Sequence, residues 1–344
     1  MPSSHVGNGI NSPIQNPAGS QVDRHAPVGH PSPAAAWLRD GYGWVTALDL
    51  ELLHHYTVST CFTLSTQQMT RDFWRVNLPQ MGFSHPYILR GVLSLAALHL
   101  SRSRASQRDI LIEQAIIHHN ASTSLALPLI TNMEPEIALP LSFFSTLTFY
   151  IAFAMPKQPG ILVDGTDSVV PEWFFLLRGH RSIRAANRHV IESSSLNMMY
   201  HGGKLMNEIW ESQYVEHDGL RELQDKIRSH VYDQQKVGIL LGASDALKRS
   251  FHLFRDSGED DDSRVRSMTM WLFKVDDAFV TLLRHGDREA LCVLAFLCVL
   301  LERLDNRWWM KGWGIHLIKR IYSVLDEGYR LWIRWPVEEI GWSP

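Results

Sequence analysis

The stretch Ala290-Leu-Cys-Val-Leu-Ala-Phe-Leu-Cys-Val-Leu-Leu301 decides the fold. It holds no charged residue, and wound as a helix it leaves no face for water, so it must be buried on every side. Asp287, Arg288 and Glu289 precede it, and Glu302, Arg303 and Asp305 follow. Only about a dozen apolar residues lie between these charges, well short of the ~20 that a bilayer span requires. The stretch predicts the central helix of a globular core and not a membrane span.

Downstream come Asn306-Arg-Trp-Trp-Met-Lys-Gly-Trp-Gly314, then Leu317, Ile321, Val324 and Leu325 at amphipathic-helix spacing, then Trp332-Ile-Arg-Trp-Pro336. Trp308, Trp309, Trp313, Trp332, Trp335 and Trp342 make this segment rich in large rings, which dominate whatever they pack on. The C-terminal segment is expected to wrap the central helix or to line a cavity beside it.

Composition supports a folded chain. The 344 residues are 45% hydrophobic and 20% charged, which suits one large domain or two small ones. A formal net charge of −3 supplies no global basic field and so argues against autonomous nucleic-acid binding. Cys61, Cys292 and Cys298 are too few and too widely spaced for a disulfide framework or a Cys-x-x-Cys zinc site. No basic segment followed by an apolar run opens the chain, so no secretory signal is expected and an intracellular location is.

Residues 1–44 are rich in Ser, Pro, Gly, Asn and His with little to bury, and read as a disordered tail or linker. Residues 45–344 read as a single all-helical domain, an all-α fold. A first helix is expected over Leu48 to Leu64, and a short second one over Met69 to Asn77, closed by Leu78-Pro79. In the third, Ser84 can cap, Pro86 sits in the first turn, and Leu89, Val92, Leu93, Ala96, Ala97 and Leu100 follow the 3.6 period. Ile88, Leu95 and Leu98 make its other side apolar, which predicts a helix sandwiched between neighbours. A fourth helix spans about Gln107 to Ala126 and ends at Pro128, and a fifth runs from about Pro135 to Phe153. Met155-Pro-Lys-Gln-Pro-Gly160 breaks the pattern, and Pro171 opens another helix containing Gly179. Ser193 to Gly203 reads as loop, and the acidic run from Asp256 to Arg264 as a solvated, mobile one.

Several chemistries are excluded by spacing. Gly82-Phe-Ser-His-Pro86 and Gly242-Ala-Ser-Asp-Ala246 lack the second glycine of a nucleophile elbow, and neither follows a strand pattern. The 17 histidines include the adjacent pairs His54-His55 and His118-His119, whose side chains point about 100° apart on a helix and cannot chelate one ion together. No glycine-rich phosphate loop is present. Arg178, Arg181, Arg184 and Arg188 form one basic helical stripe that reads as a solvated face. No catalytic residue, metal site or cofactor is called for.

Leu52-Leu-His-His-Tyr56, Phe73-Trp74 and Pro79-Gln-Met-Gly-Phe-Ser-His-Pro-Tyr-Ile-Leu-Arg-Gly-Val-Leu-Ser-Leu-Ala-Ala-Leu-His-Leu100 carry a resemblance. So do Leu177-Arg-Gly179, Val299-Leu-Leu-Glu-Arg-Leu304, Trp308-Trp309 with Gly312-Trp313-Gly314, and Trp335-Pro336. Together these segments resemble the C-terminal regulatory domain of fungal six-cysteine zinc-cluster transcription factors, and within them the sterol uptake control group. The resemblance implies a nuclear regulator of sterol metabolism or of a secondary-metabolite gene cluster. It also implies homo- or heterodimerisation with a transcription factor, and an apolar pocket for a sterol or similar ligand. Such a pocket needs aromatic and aliphatic walls, and Phe143, Phe144, Phe149, Phe153, Trp309 and Trp313 are the candidate lining residues. The family's six-cysteine DNA reader has no counterpart before Leu48. Either coding sequence lies upstream of Met1 or this member has lost its reader, and DNA would be reached only through that missing cluster or indirectly. A stand-alone module binding a lipid or another small molecule is the alternative.

Overall fold

The computed structural model describes residues 45–131, 134–157, 170–171, 174, 206–211 and 216–344. The readings made for residues 1–44, for the helix after Pro171 with its arginine stripe, and for Ser193 to Gly203 lie outside these residues. Among the described residues every regular element is helical.

The first group of helices forms around one hub. Helix α1, Ala47–Val58, opens on a capping box in which Thr46 Oγ1 accepts from Asp49 N and Asp49 Oδ2 accepts from Thr46 N. It stops at Ser59, before the expected end, and a 3-10 turn over Thr60–Thr63 takes the place of its last turn. Helices α2, Gln68–Asp72, and α3, Leu78–Ser84, are joined by a wide π turn over Phe73–Asn77. That turn sends Phe73 and Trp74 inward and leaves Val76 exposed. Leu78-Pro79 therefore opens α3 and does not close α2, because a proline in the first helical turn forfeits no hydrogen bond. Helix α4, Pro86–Leu100, has Pro86 in its first turn as expected. The cap expected from Ser84 is not made: Ser84 ends α3, and His85 takes the N-cap position with no side-chain hydrogen bond.

Helices α5, Arg108–Thr131, and α6, Pro135–Ala154, complete this group. The first of them runs through Pro128, where its end was expected. Pro128 and Ser124, whose carbonyl loses its helical donor, are both exposed, so water can replace the missing N–H. Helix α4 touches α1, α3, α5 and α6 and is buried on nearly its whole circumference, as its two apolar sides predicted.

The second group comprises α7, Asp218–His230, α8, Gln234–Asp256, α9, Asp261–Lys274, α10, Asp277–Arg284, and α11, Arg288–Glu302. After it come α12, Trp313–Val324, the single turn α13, Glu327–Arg330, and α14, Arg334–Ile340. Asp233, Asp260, Asp276 and Asp287 each cap the helix that follows by accepting a first-turn N–H. Every residue from Ala290 to Leu301 is buried, and α11 touches α7, α8, α9, α10, α12, α13 and α14. The acidic loop shrinks to a few residues, because aspartates at a helix N-terminus meet the unpaired amides of the first turn.

The tryptophan-rich end does wrap α11. Trp335 stacks on Phe296 with centroids 5.3 Å apart and an interplanar angle of 16°. Leu317, Ile321 and Leu325 are buried, whereas Val324 of the expected stripe is 47% exposed. Among the described residues, α6 is the one helix long and apolar enough to cross a membrane, with 67% of its apolar window buried in the fold.

Gly314 sets the spacing of α11 and α12. A Cβ there would lie 2.8 Å from the Cys298 carbonyl oxygen and 2.5 Å from Glu302 Oε2. Since backbone cannot swing aside, Gly314→Ala is expected to lower stability by about 1–3 kcal/mol, the usual cost of overpacking. Urea unfolding of the two chains, with an unchanged m-value, measures it.

Candidate functional site

The two helix groups meet across the segment between α11 and α12. Along α6, Phe143, Leu147, Tyr150 and Phe153 recur at helical spacing, so one stripe faces inward. Trp309 lies against that stripe, its centroid 5.7 Å from Phe149, 4.8 Å from Tyr150 and 5.9 Å from Phe153. Trp313 continues the contact, 5.6 Å from Phe153, and its Nε1 donates to the Phe153 carbonyl at 2.7 Å. In the other direction Tyr150 meets Trp74 at 5.7 Å, Trp74 meets Phe73, and Phe73 meets Phe143 at 4.4 Å. Phe144 points away from this chain of rings, toward Tyr87 of α4.

Five of the six candidate residues thus belong to one aromatic network, joined through Tyr150, Trp74 and Phe73, and the sixth lies on its far side. All six are buried. Centroid separations of this size are those of rings in mutual contact, so in this form the rings occupy the space between themselves. Two surface clefts, of about 240 and 220 Å³, lie elsewhere, and none of the six lines either one. The sequence reading missed Tyr150 and Trp74 as members of the site. Tyr150 was legible in the α6 stripe, whereas Trp74 depends on the π turn, which no periodicity announces.

Among the described residues, two buried polar atoms, one in this network and one near Tyr150, have no hydrogen-bond partner. Tyr56 is fully buried and its hydroxyl is unbonded, and so is Nε1 of Trp309. Burial pushes the Tyr56 hydroxyl well above the ordinary phenol range, with Cys61 and Tyr150 adding to the shift. Tyr150, which donates to the Leu64 carbonyl at 3.4 Å, is raised by burial as well.

Beside the rings sits a polar clamp. Asp262, read from sequence as part of a solvated loop, is buried. Its carboxylate accepts from Ser65 Oγ at 2.5 Å and from Thr66 N at 3.0 Å on one side, and from Arg307 Nη2 at 3.2 Å on the other. Arg307 Nε is also 3.4 Å from Asp261 Oδ2, and Asn306 donates to the same oxygen at 3.0 Å. Trp308 Nε1 donates to Thr63 Oγ1 at 2.8 Å. One carboxylate therefore ties the chain after α1 to the start of α9 and to the segment after α11. Charge patterning failed here because it assumes that a run of aspartates has no cation to meet, and Arg307 is distant in sequence.

The histidine pairs part company as expected. His55 Nε2 lies 3.1 Å from His99 Nδ1, which is also 3.1 Å from Thr60 Oγ1, and burial, reinforced by His55 and Arg102, lowers His99 to about 4. His118 Nδ1 is 3.1 Å from an Arg90 nitrogen, which can only donate, so the ring proton is on Nε2. That atom is 3.1 Å from Asp49 Oδ1 but off the hydrogen-bond line. His119 is buried, its Nδ1 has no hydrogen-bond partner among the described residues, and burial lowers it to about 4. Among the described residues no three potential metal ligands converge.

Residues 51–140, which run from α1 into α6 and hold the whole α4 hub, match the fungal specific transcription factor domain. The chain is 27% identical over 317 residues to a Zn(2)-C6 fungal-type transcription factor of Gibberella zeae, covering 84% of this chain and 61% of that relative. It is 28% identical over 156 residues to a Zn(2)-C6 fungal-type transcription factor of Aspergillus fumigatus, covering 43% of this chain and 39% of the relative. It is also 28% identical over 91 residues to sterol uptake control protein 2 of Candida albicans, covering 23% and 13%. The chain spans less than two thirds of the length of each of these relatives. The first two of these relatives are transcription factors by name.

Removing one partner of a buried charge pair leaves the other uncompensated. Asp262→Ala is therefore expected to lower stability by about 3 kcal/mol, while Asp256→Ala, at the exposed end of the same acidic run, changes it little. Thermal or urea unfolding of the two variants distinguishes a clamp from a solvated loop.

Proposed function

We propose that this chain is a nuclear transcriptional regulator, of sterol metabolism or of a secondary-metabolite gene cluster. Residues 45–344 form its regulatory unit. The observation that carries the reading is the match of residues 51–140 to the fungal specific transcription factor domain, placed on the helices that surround α4. The likeness to a Zn(2)-C6 factor over 84% of the chain extends it beyond that segment. A net charge of −3 supplies no field for holding DNA unaided, so this regulatory unit reaches promoters through a six-cysteine reader or through a dimer partner that has one. Chromatin immunoprecipitation of the tagged chain is expected to enrich a defined set of promoters. Absence of enrichment under several growth conditions would overturn the reading and favour a free-standing small-molecule-binding module.

The regulatory signal in this proposal is an apolar ligand with one hydroxyl group, such as a sterol, received at the aromatic network. Supporting it are two buried polar atoms with no hydrogen-bond partner among the described residues, the Tyr56 hydroxyl and Trp309 Nε1, among rings whose surface is mostly apolar. Entry requires the rings around Trp309 to part. Saturation binding of ergosterol to the purified chain is expected, weakened about tenfold by Trp309→Phe, which keeps a ring but removes the N–H. No binding would remove the ligand from the proposal and leave promoter occupancy as its separate test.

A further inference from the structure

The turn between α4 and α5, Ser101-Arg-Ser-Arg-Ala-Ser-Gln-Arg108, carries three arginines and three serines in eight residues. Ser101 is buried and donates to the Leu98 carbonyl at 2.7 Å, and Ser103 donates to the Leu100 carbonyl at 3.0 Å. Ser106 differs from both. It sits in the 3-10 turn Ala105–Gln107, is exposed, and its hydroxyl makes no hydrogen bond among the described residues. Arg102, Arg104 and Arg108 lie four and two residues before it and two after it, and no acidic residue falls between Arg102 and Arg108.

We propose that Ser106 is a phosphorylation site for an arginine-directed serine kinase. In the step, the Ser106 Oγ–P bond forms as the bond between the γ-phosphorus of ATP and its bridging oxygen breaks. ADP leaves, and the hydroxyl proton passes to the kinase's base. The product carries close to two negative charges and three strong acceptor oxygens, for which guanidinium groups are the preferred partners.

Those guanidinium groups already have employment that ties the turn to the rest of the fold. Arg104 pairs with Glu51 of α1 and donates to Gln107 Oε1 at 3.2 Å. The Arg102 guanidinium lies over the Trp308 ring, 5.9 Å from its centroid. The Glu51 pair is exposed, and exposed pairs of this kind are worth at most about 1 kcal/mol, so a phosphate dianion beside Arg104 competes for it successfully. Drawing Arg102 from Trp308 acts on the residue that also faces His99 and bonds Thr63, at the meeting of the two helix groups. The modification thus reads out where the α4 and α11 groups join.

The test is phosphorylation of the purified 344-residue chain by the catalytic subunit of an arginine-directed kinase with Mg-ATP, mapped by tandem mass spectrometry. One phosphoryl group is expected on Ser106, absent in Ser106→Ala. Arg104→Ala is expected to slow its incorporation about tenfold, the worth of one charge-assisted contact, while Ser103→Ala leaves the rate unchanged. All three substitutions lie on an exposed turn, and thermal unfolding verifies that each chain folds. A folded chain that takes no phosphate at Ser106 overturns the proposal. Incorporation at Ser103 in its place, or a rate at Ser106 indifferent to Arg104, does the same.

Discussion

The buried carboxylate of Asp262 is the contact through which the two halves of this protein share one interior. Helices gather around α4 in the first half and around α11 in the second, and each hub satisfies its own apolar faces. What connects them is the irregular chain after α1, the first turn of α9, and the tryptophan-bearing segment after α11. Irregular chain in an interior carries backbone and side-chain polar groups that must find partners. Asp262 supplies them to Ser65, Thr66 and Arg307 at once.

The aromatic network is the apolar counterpart of that clamp. Trp309 and Trp313 reach from the α11 side into the α6 stripe, and the Trp313 indole fixes its own depth by bonding the Phe153 carbonyl at the last turn of α6. Rings in edge-to-face contact have a small set of favourable arrangements, so the junction is a discrete packing and not a fluid one.

Much of the architecture could be read from one-dimensional patterns. The absence of any polar face from Ala290 to Leu301 demanded burial all round, and the two apolar sides of α4 demanded the same, so both hubs were legible. Errors fell where local chemistry was overridden. Prolines at 79 and 128 were read as terminators, yet one sits where a helix needs no N–H and the other where water can serve. The aspartates after Asp256 were read as repelling one another into solvent, and they instead begin a helix and hold an arginine.

The sequence by itself determined the class of fold, its two hub helices and the membership of its aromatic core, because helical periodicity and apolar burial are properties of neighbouring residues. It also carried the likeness to fungal transcription factors, since ordered short segments keep their spacing along the chain. Only the tertiary structure decided which rings meet, that Tyr150 and Trp74 complete the network, that Asp262 is internal, and which serine of the α4–α5 turn makes no hydrogen bond among the described residues. Those outcomes depend on contacts between residues up to about 250 positions apart, such as Trp308 with Thr63, and a pairing across that distance leaves no periodic trace in either segment.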